Sequence, residues 1–202
     1  MRVGLLGPAR GDAEAAREAI EFLLGDAEVD QAISLGDDRE AIDALLEEWA
    51  SEVFGEPYDD EAFLRRAAEL AERGDPDAIE GLLRREAWVK KLGRIRELPD
   101  PPARAVEMIA DRILLAVYDK SILDEEDIAN AQLIVYGRAE EAELRRFGTR
   151  YFLTPGPLSA GRVAVLETEG SGEVAAALFE TSGVPVWRQP LARRSGKVNV
   201  LK

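Results

Sequence analysis

Residues 1–11, MRVGLLGPARG, and residues 29–38, VDQAISLGDD, decide the fold. Arg2–Leu6 is a short apolar run that stops at Gly7-Pro8, the pattern of a buried strand. Asp12 is placed to cap a helix. Ala16, Ile20, Leu23 and Leu24 follow at helical spacing, and Gly25 ends the segment. Val29–Leu35 reads as a second strand running into Gly36-Asp37-Asp38. A strand–helix–strand unit this short implies a parallel pair joined by a right-handed crossover.

Outward from that unit, the chain first becomes helical. Glu40–Phe54 sets Ile42, Leu45, Leu46, Trp49, Val53 and Phe54 on one stripe. Asp60–Arg73 does the same with Phe63, Leu64, Ala67, Leu70 and Ala71 before Gly74. Asp77–Glu86 follows the start signal Asp75-Pro76 and carries Ile79, Leu82 and Leu83. Residues 39–87 are therefore expected as a helical insertion within one domain spanning 1–202. Trp49 and Trp88 fit packing better than a stacking platform.

Strands are expected again at Trp88–Leu92, then at Val106–Ile109 and Ile113–Tyr118, the last two as a hairpin across Ala110-Asp111-Arg112. A short helix at Asp124–Asn130 and a strand at Gln132–Tyr136 come next. Four further strands follow at Arg150–Leu153, Arg162–Thr168, Glu173–Glu180 and Val184–Gln189. The class is α/β, with a back half richer in strands than a repeated strand–helix fold. Glu140-Glu141-Glu143 reads as a solvated helix face, and Gly170-Ser171-Gly172 as a loop.

Composition excludes whole reaction classes. The 202 residues contain no Cys and no His. Disulfides, thiolate nucleophiles, zinc–thiolate sites, imidazole bases and Ser-His triads are all absent, and any metal must rest on oxygen ligands, which favours weakly held Mg, Ca or Mn. The net charge is −14, and residues 12–86 hold 24 acidic against 7 basic side chains. The remainder holds 16 acidic and 19 basic, with five basic residues and no acid from Thr181 to Lys202 (Arg188, Arg193, Arg194, Lys197, Lys202). The overall sign repels nucleic acid and anionic membrane. No segment has the apolar length of a membrane span and no leader is legible, so the expected location is cytoplasmic.

In open α/β sheets, sites lie in loops beyond the carboxyl ends of strands. In order these loops are Gly7-Pro8-Ala9-Arg10-Gly11, Gly36-Asp37, Gly93-Arg94-Ile95-Arg96, Tyr118-Asp119-Lys120, Tyr136-Gly137-Arg138-Ala139-Glu140 and Thr154-Pro155-Gly156-Pro157-Leu158-Ser159. Their order and spacing resemble the calcineurin-like metallophosphoesterases, in particular the small bacterial phosphodiesterases of that superfamily. Outside 39–87 the resemblance covers the chain. It implies a four-layer α/β/β/α sandwich.

The resemblance keeps the frame and loses most of the ligands. The family's first-loop Asp and His fall on Pro8 and Arg10. Asp37 matches the carboxylate that bridges the two metals. Arg94 and Arg96 stand where Asn and Asp are expected. The lone His falls on Tyr118, or on Asp119 with the register moved by one, and Arg138 and Glu140 replace the two His of the fifth loop. Gly11, Gly93 and Gly137 are retained, and Thr154-Pro155-Gly156 keeps the turn of the last motif without its Asn.

Guanidiniums cannot bind a metal but can pair with Asp37, Asp119 and Glu140, so the resemblance implies an ion-pair network in place of the ions. An anion pocket built from Arg10, Arg94 and Arg138 stays open as a second reading, because Arg suits phosphate recognition. A dinucleotide site at Gly7…Gly11 is the weakest, since the spacing is not Gly-x-Gly-x-x-Gly. The expected role is a non-catalytic one in binding or regulation, with no cofactor and with the acidic helices 39–87 as the docking surface for a protein partner. The alternatives are a residual phosphodiesterase or phosphatase with an altered site, and a phosphate or nucleotide sensor. In the former, Asp37, Asp119 and Glu140 would hold a single ion, or the arginines would act without metal.

Overall fold

The computed structural model describes residues 1–170 and 172–192. The basic residues Arg193, Arg194, Lys197 and Lys202, and the serine of the expected 170–172 loop, lie outside the described residues. β1 (Arg2–Leu6) and β2 (Gln31–Ser34) pair in parallel across α1 (Ala13–Leu24), as the opening pattern requires. The Asp12 carboxylate accepts from the Ala15 amide and caps α1.

α2 (Arg39–Phe54), α3 (Asp60–Arg73) and α4 (Pro76–Leu92) then form one helical block before β3 (Ile95–Glu97). β4 (Ala105–Ile109) and β5 (Arg112–Val117) make the hairpin, followed by α5 (Glu125–Asn130) and β6 (Leu133–Tyr136). β7 (Glu143–Phe147), β8 (Arg150–Thr154), β9 (Arg162–Thr168), β10 (Val174–Glu180) and β11 (Pro185–Leu191) complete the chain.

The strands form two sheets, a six-stranded one in the order β11-β10-β9-β1-β2-β3 and a five-stranded one in the order β4-β5-β6-β8-β7. Alternation along each strand sorts its side chains. Val3 and Leu5 of β1, with Ile33 and Leu35 around β2, face Leu114, Ala116, Leu133, Val135 and Leu153 of the second sheet. Leu6, Ala32, Val163 and Val165 face outward into a cluster with Ile20, Leu23 and Leu24 of α1. Outside the second sheet, Leu115 and Ile134 pack with Ala131 and Ile128 beside α5. The layers are helices, sheet, sheet and helix, the α/β/β/α sandwich. Among the described residues no helix is long and apolar enough to cross a membrane.

The helical block is part of the outer helical layer. Ile42, Trp49 and Leu92 join the α1 cluster, while Phe54, Ala62 and Leu82 form a satellite core between the helices. Trp49 meets Trp88 edge-on at 5.8 Å between ring centroids, and the Arg17 guanidinium of α1 lies 4.7 Å above the Trp49 ring. Both tryptophans are packing residues.

Two expectations need correction. Trp88–Leu92 is not a strand but the end of α4, because Leu82, Val89 and Leu92 continue the helical stripe and nothing breaks it before Gly93. The helical block therefore runs to Leu92, and the third strand is the three-residue β3. Glu143 does not lie on a helix either: it opens β7, which pairs antiparallel with β8 through a tight turn at Gly148 (φ 62°). At the far edge, β11 carries Pro185 and Pro190.

Candidate functional site at the strand ends

β1, β2 and β3 run parallel in one sheet, and β5, β6 and β8 run parallel in the other. Two glycines let the loops at their carboxyl ends close on each other. A Cβ on Gly7 would lie 1.7 Å from the Gly156 carbonyl oxygen, and one on Gly137 would lie 1.7 Å from that of Leu35. Only glycine permits this approach of backbone to backbone.

The expected site residues divide into two groups. Arg10, Asp37, Tyr118, Asp119, Arg138 and Glu140 come together at these loops. Arg138 Nη1 lies 2.5 Å from Asp119 Oδ2, and Arg10 Nη2 lies 3.5 Å from Glu140 Oε1 and donates to the Ala139 carbonyl at 3.3 Å. Pro8 is buried in the first loop, with its carbonyl accepting from the Leu158 amide at 3.1 Å.

Arg94 and Arg96 are elsewhere, and their expected place in the third loop is a correction. Arg94 precedes β3 at the amino end of the sheet and donates from Nη1 to the Val29 carbonyl at 3.3 Å. Arg96 lies within β3 and pairs with Glu107 of β4 at 2.9 Å, linking the two sheet edges. Both were displaced by the misread end of α4. The loop that leaves the carboxyl end of β3 is Leu98-Pro99-Asp100, and Asp100 borders the cleft.

Asp37 also departs from expectation. It is exposed and contacts the Tyr118 hydroxyl rather than a guanidinium, so solvent screens its charge. Burial first, then this carboxylate, push the Tyr118 hydroxyl above its ordinary range, while Arg138 and Arg10 oppose the shift. The Asp119 carboxyl is held low by the hydrogen bond from the Ser121 amide and then by Arg138.

The sequence reading missed Asp38. Its Oδ2 accepts from the Arg10 amide at 2.9 Å, tying the first loop to the second, and its Oδ1 is buried without a hydrogen-bond partner. The only signal for it was its place in the Gly36-Asp37-Asp38 run. Between the second, third and fourth loops lies a cleft of about 120 Å³ lined by Asp37, Arg39, Leu98, Asp100, Tyr118 and Asp119.

No family model matches the chain, and no curated protein matches it. Solved structures do. A conserved protein of Streptococcus pneumoniae described as a predicted phosphoesterase superposes with a TM-score of 0.54 at 11% identity, over 95% of this chain and 97% of that one. Vacuolar protein sorting 29 of Cryptosporidium parvum gives 0.56 at 12% identity, over 95% and 98%. An archaeal phosphodiesterase gives 0.52 at 15% identity, over 89% and 100%. The chain has the calcineurin-like metallophosphoesterase fold.

At these identities the likeness is one of architecture alone. A two-metal metallophosphoesterase centre places about four positive charges among carboxylates and imidazoles. Here the strand-end loops present Pro8, Arg10, Asp37, Tyr118, Arg138 and Glu140, with Asp119 and Glu140 already paired to guanidiniums. Among the described residues no group of three or more acidic side chains is arranged to hold a metal ion. The residues present do not fit the metallophosphoesterase metal pair.

Proposed function

We propose that this protein is a non-catalytic member of the metallophosphoesterase fold that serves as a protein-interaction or regulatory module. One observation carries the reading: at the strand-end loops, Arg138 pairs with Asp119 at 2.5 Å and Arg10 with Glu140 at 3.5 Å, at the positions that the sequence resemblance assigns to metal ligands. A fixed positive charge there neutralises the carboxylates and repels a cation. The architecture is kept while the means of activating water is not.

The partner surface in this reading is the helical block, whose exposed acids include Glu47 and Glu48 on α2 and Glu69 and Glu72 on α3. Such a surface suits a basic partner through electrostatic steering and polar rim contacts. Reversing Glu47, Glu48, Glu69 and Glu72 to Lys together is expected to abolish capture of that partner.

The deciding experiment measures metal content by mass spectrometry and hydrolysis of bis(p-nitrophenyl) phosphate with Mn or Mg on the same purified sample. Substoichiometric metal and no turnover are expected. Turnover abolished by Asp37→Ala would establish instead a phosphodiesterase with an altered site, the reading favoured by the phosphoesterase descriptions of two structural neighbours.

A further inference from the structure

At the opposite pole from these loops, a second cleft of about 390 Å³ opens over the amino ends of β5, β6 and β8. These three strands are parallel neighbours, so the residues that introduce them meet at one edge of the sheet. The lining includes Asp111 and Arg112, Gln132, Thr149 and Arg150, and Ala192 beyond the end of β11. None of the strand-end loop residues takes part.

Arg112 is the unusual member. It is only 5% exposed, yet a guanidinium is permanently charged and costly to bury without compensation. Among the described residues its one hydrogen bond runs from Nη2 to the Leu191 carbonyl at 2.8 Å, and no carboxylate lies within ion-pair distance. Asp111 is exposed and pairs with neither arginine. Arg150 is likewise held by a carbonyl alone, through Nη2 to Ala129 at 3.2 Å. Each guanidinium has five N–H donors, so one nitrogen anchors it and most of its donors remain uncommitted.

The other walls restrict what such a cleft can hold. Gln132 is consumed at both ends of its amide, accepting from the Ile113 amide at 2.8 Å and donating to the Asn130 carbonyl at 3.1 Å. Thr149 and Asp111 supply a hydroxyl and a carboxylate suited to a ligand's own hydroxyls. Among the described residues no aromatic ring lines the cleft, so they offer no platform for a base. Its volume falls within the roughly 300–1,000 Å³ typical of small-molecule sites.

We propose that this cleft binds a small phosphate-bearing anion, with Arg112 and Arg150 as the forks that take the phosphate oxygens. Planar guanidiniums grip phosphate through paired hydrogen bonds. The ligand supplies the countercharge that the described residues withhold from Arg112. The phosphate is either inorganic or the monoester of a hydroxylated compound.

Titration calorimetry and thermal shift of the full chain test this with sodium phosphate, ribose 5-phosphate and ribose, each against matched sodium chloride. Saturable binding of a phosphate compound is expected, with none for ribose. Tighter binding of ribose 5-phosphate assigns the monoester, and equal binding assigns free phosphate. Arg150→Ala, on a partly exposed side chain, is expected to weaken binding by about tenfold or more, the loss that follows from removing one charge-assisted contact. Arg112→Lys keeps the charge without the fork and is expected to weaken it similarly. If that variant does not fold, Arg150→Ala decides alone. The proposal is overturned by absence of saturable binding, by wild-type affinity in Arg150→Ala, or by loss of binding in Arg138→Ala, which would move the anion to the other pole.

Discussion

Arg39 and Glu97 meet at 2.9 Å between Nε and Oε2, joining the first residue of α2 to the last residue of β3. The Glu97 side chain is 10% exposed and its Oε1 is buried without a hydrogen-bond partner. Burial, then the neighbouring Asp43, push its carboxyl up to about 7 against the pull of Arg39, with Asp38 adding a smaller push.

The sign of the pH dependence follows. The folded state holds this proton more tightly than the unfolded chain, so the residue's contribution is full below the ordinary carboxyl range and is lost as pH rises through about 7. Glu97→Gln removes the titration. Its stability relative to wild type is expected to improve by up to about 3 kcal/mol between about pH 4 and about pH 8, read from urea unfolding at each pH. Parallel profiles for the two proteins would contradict the assignment.

Gly137 and Gly81 are expected to respond in opposite directions to the same substitution. Gly137→Ala drives a methyl group into the Leu35 backbone at 1.7 Å, where neither central strand can yield. A loss of about 4 kcal/mol or more is expected, or failure to fold. Gly81 lies inside α4, and a methyl group placed on it would meet nothing within 4 Å, so Gly81→Ala should stabilise by about 0.5–1 kcal/mol. Calorimetric melting of both variants checks the contrast.

Trp49 anchors the helical block to α1. It is 4% exposed, stacked edge-on with Trp88 and covered by Arg17, which also pairs with Glu52 at 2.6 Å. Trp49→Ala is expected to cost about 3–5 kcal/mol, and Trp49→Phe distinctly less. Chemical denaturation measures both.

At the strand ends, Asp119 matters beyond its ion pair. Its Oδ1 accepts from the Ser121 amide at 2.8 Å and starts the turn at Lys120–Ile122. Asp119→Ala is expected to cost about 1 kcal/mol through the lost cap, and Asp119→Ser to recover most of it. Arg138→Ala, which leaves the cap in place, should move the melting temperature less than Asp119→Ala does.

The frame was legible where apolar runs are punctuated by glycine: β1, α1, β2, the β4–β5 hairpin and β6 all stand close to where their residues suggest. The end of α4 was not, because Trp88-Val89 has the bulk of a strand while only the longer register from Leu82 to Leu92 reveals the helix. β3, with the sequence Ile-Arg-Glu, has no pattern of its own. That single error carried Arg94 and Arg96 to the wrong end of the sheet and hid Asp100. β7 escaped notice because its Arg145 and Arg146 lack the alternation of a half-buried strand. The cleft around Arg112 draws on residues far apart in the chain, and only the parallel order of β5, β6 and β8 brings them together.

The six-stranded sheet has two borders. One border is the three-residue β3, and the other is β11, where Pro185 and Pro190 remove two amide hydrogens from seven positions. Neither presents a continuous row of donors on which a foreign strand could grow. Among the described residues both margins of this sheet are poor templates for self-polymerisation, and a strongly anionic chain gains a further barrier to clumping with its own copies.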